Sequence, residues 1–201
     1  QYSTDPEGGL FFMRLEFCFD SLRIAPKKLE DGFSRLAKSL KAQWQIHYRS
    51  QRLRMGILVS KEGHCLADLL YRWNAGELKA DISFVISNHP DHKADVERFK
   101  IPYYVIPVKE TDKFGSEKKI LSLVKTKSDF LILARYMQIL SGTFLREYGK
   151  NIINIHHSFL PSFKGANPYG QAYARGVKVI GATAHFITEN LDEGPIIEQI
   201  V

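Results

Sequence analysis

The pattern of apolar and polar positions divides the chain at about residue 54. From Met55 onward, short apolar runs alternate with stretches in which apolar residues recur every three or four positions. The runs Met55–Val59, Ile82–Ser87, Tyr103–Pro107, Phe130–Leu133 and Ile152–Ile155 read as buried strands. Between them, Gly63–Trp73, with Leu66, Leu69, Leu70 and Trp73 on one side, and Asp91–Phe99, Ser116–Lys125 and Gly142–Tyr148 have the period of helices. Strands that alternate with helices predict a mainly parallel sheet covered on both faces. Val179–Thr188 and Pro195–Val201 flank the turn Asn190-Leu-Asp-Glu-Gly194, which predicts an antiparallel hairpin on the edge of that sheet. The chain stops inside this last strand, so a C-terminal remainder is expected.

The first part has a different pattern. Apolar residues alternate with Arg14, Glu16 and Cys18 from Met13 to Phe19, the period of a half-buried strand. Pro26–Leu40 carries Leu29, Phe33, Leu36, Ala37 and Leu40 at helical spacing, and Gln43–His47 fits a second short strand. A unit of about 45 residues is too small to bury both its faces alone, which points to a half-domain or to a partner. The predicted organisation is a small unit over 1–48, a linker over 49–53 and a larger α/β domain over 54–201.

Composition narrows the class. The 201 residues are 44% hydrophobic and 25% charged, the proportions of an ordinary globular protein. No apolar run reaches the roughly 18 residues of a membrane span, and no secretory leader is visible. Cys18 and Cys65 are the only cysteines and form no CxxC pair, so the cytoplasm is the expected compartment. The net charge of +6 comes from 28 basic and 22 acidic residues that are interleaved. With no RNA-binding motif, that fits a groove for an anionic small molecule, and a nucleic-acid partner is not expected.

The candidate chemistry centres on Asn151-Ile-Ile-Asn154-Ile-His156-His157-Ser158, where a buried strand gives way to a loop. Residues i and i+2 of a strand share a face, so Asn154 and His156 project together from its carboxyl end, where open α/β sheets bind ligands. The alternative is two polar residues that finish a strand on loop backbone. Asp192 reads either as a turn residue or as the carboxylate partner of that pair. Together the three supply an amide donor, a titratable base and an acid, a set suited to attack on a carbonyl. His157 is a further candidate for positioning water, and Thr183 and His185, on one strand face, for a layer behind Asp192. The loop Ala134–Ser141 ends another strand at the same edge and could wall an apolar pocket. At Ser60-Lys-Glu-Gly-His64 only Gly63 could cradle a phosphate and Glu62 opposes one, so a nucleotide is disfavoured there. Asn88-His-Pro-Asp-His92 lacks the partners of a metal site and reads better as a loop with Asp91 capping a helix; no metal is expected.

Asn154-Ile-His156 with Ser158 and Leu160-Pro161-Ser162, then Asp192-Glu-Gly-Pro195, together with Leu133-Ala134, Met137 and Ile139-Leu140-Ser141, resembles the folate-dependent formyltransferase family. Val59–Trp73, Ile86–Asp91, Ala134–Leu140 and His156–Ser162 resemble in particular its deformylase branch, and the residues around Glu7–Arg14 resemble the later half of an ACT domain whose front half is missing. The resemblance implies a Rossmann-like formyltransferase fold preceded by a partial α+β, ferredoxin-like ACT unit. It implies hydrolysis of 10-formyltetrahydrofolate to formate and tetrahydrofolate, supplying formate for purine biosynthesis and balancing one-carbon folate pools. Asn154, His156 and Asp192 match the family's catalytic residues. Met137, Gln138, Ile139 and Leu140, with Glu189 and Leu191, match the segments that hold the pterin ring. It also implies no bound cofactor, amino-acid effectors such as glycine or methionine at the ACT unit, and a homo-oligomer. A transfer of the formyl group to an amine acceptor is the alternative, and the departure at Lys61-Glu62 weighs against a ribonucleotide acceptor.

Overall fold

The computed structural model describes residues 2–5, 10–18, 22–48 and 50–201. It divides the chain into two units, Gln1–Arg49 and Ser50–Val201.

In the first unit, strands β1 (Tyr2–Asp5) and β2 (Leu10–Met13) form an antiparallel pair, and helix α1 (Pro26–Ser39) follows. Two expectations are corrected here. The strand predicted over Met13–Phe19 is displaced toward the N-terminus: residues 14–18 carry no strand, because the pairing partner of Leu10–Met13 is Tyr2–Asp5, which alternation alone does not reveal. The strand predicted over Gln43–His47 is irregular chain, with Trp44 turned edge-on to Phe33 of α1 at 5.2 Å between ring centroids. Part of the Glu7–Arg14 segment, Phe19 of the predicted strand and Arg49 of the predicted linker lie outside the described residues.

The second unit is a seven-stranded sheet in the order β5-β4-β3-β6-β7-β8-β9. Its strands are β3 (Leu53–Val59), β4 (Ala80–Ser87), β5 (Tyr103–Val105), β6 (Phe130–Ala134), β7 (Ile152–His156), β8 (Ala182–Phe186) and β9 (Ile196–Ile200). β5 through β7 pair in parallel, and β8 and β9 add antiparallel at one edge. The helices are α2 (His64–Asn74), α3 (Lys93–Glu97), α4 (Lys113–Lys127), α5 (Gly142–Tyr148) and α6 (Pro168–Ala174). α6 was not expected, although Asn167 followed by Pro168 is a helix-start signal and Asn167 does accept the Gly170 amide at 3.1 Å. α3 begins after His92 and is shorter than expected. Asp91 does not cap it, and His92 is committed elsewhere, its Nε2 lying 2.9 Å from the Lys61 carbonyl. Among the described residues no helix is long and apolar enough to cross a membrane.

The apolar runs are continuous because the sheet is covered on both faces. Leu58, Phe84, Leu131 and Leu133 enter one core with Ile120 and Val124 of α4 and Phe144 of α5. Met55, Ile57, Val59 and Val85 enter the other with Leu66 and Leu70 of α2. Each such side chain stabilises the fold by about 1.5–3 kcal/mol on burial. From β3 the chain winds outward to β4 and β5, then returns to β6 and β7 on the other side. That reversal opens a crevice at the carboxyl ends of β3 and β6, the place where such sheets take ligands.

Candidate active site

The site is built first by strand register. β7 and β8 run antiparallel with Asn154 opposite His185 and His156 opposite Thr183. Directly opposed residues point to the same face, so one pairing puts all four side chains on one patch. Asn154 and His185 touch, amide Nδ2 to Nε2 at 3.2 Å. His185 Nδ1 lies 3.0 Å from the Phe186 carbonyl, to which only an N–H can donate. Nε2 is therefore the acceptor, and one of the Asn154 N–H groups donates to it. Burial holds the His185 pKa below the usual histidine range, in keeping with this neutral form.

His156 is fixed by the opposite logic. Its Nε2 is 2.7 Å from the Phe163 carbonyl, so Nε2 carries a proton and donates it. Nδ1 is the free nitrogen, and it faces Asp192 Oδ2 at 3.7 Å. Asp192 Oδ1 is also 3.7 Å from His185 Nε2. The carboxylate thus sits between two imidazoles and is held by the Gly165 amide, which donates to Oδ2 at 2.9 Å. Its side chain is 7% exposed. Asp192 holds a left-handed backbone, φ 55°, uncommon for a residue with a Cβ and a cost that clusters at functional sites. The loop that carries it closes at Gly194, where a Cβ would collide with the Phe186 carbonyl oxygen.

A cavity of about 270 Å³ opens over this cluster. Its walls include Asn154, His156, His157, His185 and Asp192, the Arg135–Leu140 loop after β6 with Met137, Gln138, Ile139 and Leu140, and the Ile187–Leu191 loop with Glu189 and Leu191. Glu189 is also paired with Arg146 at 2.6 Å. Thr183 is not on the wall. It is fully buried, donates to the Ser158 carbonyl at 2.7 Å and accepts the Leu160 amide at 3.1 Å, so it braces the loop after His156 rather than Asp192. His157 stacks edge-on to Tyr169 of α6, and its pKa is pushed down to about 4 by burial and then by the Arg135 charge.

Several contributors left no readable trace. Phe163 and Gly165 act through backbone atoms, for which side-chain identity gives no signal. Ser60 receives the Met137 amide on its hydroxyl at 3.0 Å and so ties the β3 end to the cavity wall. Glu117, buried on α4, accepts the Ser141 amide at 2.8 Å and its hydroxyl as well. Asn88 accepts the Ser60 hydroxyl at 2.7 Å behind the cavity wall, and among the described residues no group of three or more His, Cys, Asp and Glu is placed to hold a metal ion.

Residues 53–201 match the formyl transferase family model. A formyltetrahydrofolate deformylase of a Synechocystis species is 49% identical over 199 residues, which is 98% of this chain and 70% of the relative. The chain belongs to the formyltetrahydrofolate deformylase family. The enzyme of that name from Bacillus subtilis is 48% identical and is matched over 99% of this chain and 67% of its own length. Among solved structures, the deformylase from Pseudomonas syringae superposes with a TM-score of 0.95 at 48% identity, covering all of this chain (100%) and 67% of that one. A glycinamide ribonucleotide transformylase from Symbiobacterium toebii is more distant: TM-score 0.70 at 29% identity, over 78% of this chain and 76% of that one. The fold of the second unit is thus shared across the wider family, whereas both units match the deformylases.

Proposed function

We propose that the chain hydrolyses 10-formyltetrahydrofolate to formate and tetrahydrofolate at the Asn154–His156–Asp192 cluster. The observation that carries this reading is the fixed tautomer of His156: with Nε2 engaged by the Phe163 carbonyl, only Nδ1 is free, and it looks onto Asp192 in the cavity. Water bound between Nδ1 and the carboxylate attacks the formyl carbon while the imidazole takes its proton. The tetrahedral oxyanion is held by protonated Nδ1 and by the Asn154 N–H that does not serve His185. Nδ1 then returns the proton to the departing N10 nitrogen, and the carbon–nitrogen bond breaks. The pterin ring lies along Met137–Leu140 and Glu189–Leu191, whose backbone supplies donors and acceptors on an apolar wall.

Water is the acceptor because the turn at Lys61-Glu62 offers no phosphate cradle to a ribonucleotide amine. The wider proposal is that this activity supplies formate for purine biosynthesis in the cytoplasm. The first unit, through its likeness around Glu7–Arg14, would be part of an ACT regulatory domain that binds amino-acid effectors and joins subunits into an oligomer. The test is formate release from 10-formyltetrahydrofolate with and without added amine acceptors. Equal formate release in both arms is expected; no formate in either arm, with tetrahydrofolate formed only when an amine is present, would make the protein a transferase.

A further inference from the structure

Arg135 follows β6 at the crevice and lines the cavity, yet the mechanism above gives it no task. Its backbone is left-handed, φ 59°, which costs a residue with a Cβ on the order of 1 kcal/mol. Its carbonyl accepts the Ser60 amide at 3.2 Å, so this conformation is tied to the end of β3. Among the described residues, its Nε and Nη1 are buried and meet no hydrogen-bond partner. Buried guanidinium donors are costly to leave unmade, and native proteins pair them or reserve them for a ligand. The charge of Arg135 reaches His157, which stays neutral, and Cys65, a thiol whose pKa burial raises. A strained backbone, a bound strand end and two buried guanidinium nitrogens without a protein partner, on a residue of the cavity wall, describe a seat for a small anion.

We infer that Arg135 is the seat of a carboxylate, namely the formate that the reaction releases. This rests on the hydrolytic reading. Hydrolysis breaks the carbonyl carbon–N10 bond and forms a bond from that carbon to the water oxygen. N10 gains one proton, and formic acid loses one to solvent at neutral pH. A neutral formyl group thereby becomes an anion inside the cavity, and Arg135 supplies the charge that receives it. His157, uncharged, offers a hydrogen bond without competing for the proton. Resting the carboxylate on Arg135 draws it away from Asp192, whose own charge disfavours an anion at the reacting position.

The test is titration of the full chain with carbon-13 formate, followed by line broadening, on wild type, Arg135→Gln and Arg135→Lys. Formate release is assayed on the same preparations. Saturable binding to wild type is expected, weakened at least tenfold in R135Q and partly retained in R135K. Equal binding in all three, or none to wild type, overturns the seat. If R135Q does not fold, R135K against wild type decides by the same criterion. Formate release with no dependence of formate binding on Arg135 sinks this inference and leaves the hydrolytic reading intact. Binding through Arg135 without any release sinks the hydrolytic reading, and with it the assignment of the bound carboxylate as a product. A second arm compares tetrahydrofolate with tetrahydropteroate, which lacks the glutamyl carboxylates: if R135Q weakens only the former, the seat serves the substrate's tail and the formate assignment is overturned.

Discussion

A histidine with one ring nitrogen engaged can do chemistry only at the other, and this decides what the neighbouring groups can contribute. At His156 the engaged atom is Nε2, and the partner is a backbone carbonyl, not the carboxylate that a sequence argument would choose. Asp192 stands 3.7 Å from Nδ1, too far for a direct hydrogen bond but well placed to flank a water. Asp192→Asn should therefore lower kcat strongly with KM nearly kept, since the fold of the loop needs only an oxygen for Gly165. Asn154→Ala, which removes an oxyanion donor, should cost about 10²–10³ in kcat. Steady-state kinetics on formate release checks both, and near-normal turnover of either variant removes that residue from the mechanism. The buried imidazoles also predict the response to acid. His185 is depressed, and His157 lies at about 4 in the folded chain, against an ordinary value of 6.5. Between those two pH values the unfolded chain binds protons that the folded chain refuses, so stability rises with pH there and is lost on acidification. Thermal unfolding from pH 7 to pH 4 should show a falling Tm, and His157→Gln should flatten the fall by on the order of 1 kcal/mol after allowance for its partial exposure. An unchanged profile in that variant would remove His157 from the account.

At the scale of elements, the site is made by register and by anchors. The β7–β8 pairing alone sets Asn154 against His185. A slip of one residue would turn every one of these side chains to the other face. The pterin wall depends on a different device. It is a loop, and it is held at one end by the Ser60 hydroxyl and at the other by Glu117, which receives the amide and hydroxyl of Ser141 where α5 begins. Glu117→Gln keeps the shape of the side chain but gives up one of two acceptors. We expect KM for the folate to rise about fivefold, the worth of ~1 kcal/mol of hydrogen bonding, with kcat within about twofold. A matching fall in kcat with KM unchanged would mean that Glu117 acts on the reacting groups instead.

At the scale of the molecule, both hydrophobic cores and every wall of the cavity belong to the second unit. The piece Ser50–Val201 made alone should therefore fold and bind a folate analogue with an affinity within about threefold of the whole chain, a margin of ~0.6 kcal/mol. Calorimetric titration of both would show it, and a fragment that folds but does not bind would place part of the site in the first unit. How much of this was legible in the sequence follows from the range of the interactions involved. Alternating apolar runs and helical periods are local, so β3 to β7, their helices and the edge hairpin could be read directly from the chain. So could the shared face of Asn154 and His156, because strand geometry places i and i+2 together whatever the fold. The first unit was less legible because β2 is defined by its pairing with β1 rather than by its own alternation. The tautomer of His156, the grip of Gly165 on Asp192, the bracing role of Thr183 and the buried guanidinium nitrogens of Arg135 depend on segments distant in the chain. The residue types fixed which chemistry was available. Only the packing of remote backbone against them decided which nitrogen, which oxygen and which charge would face the substrate.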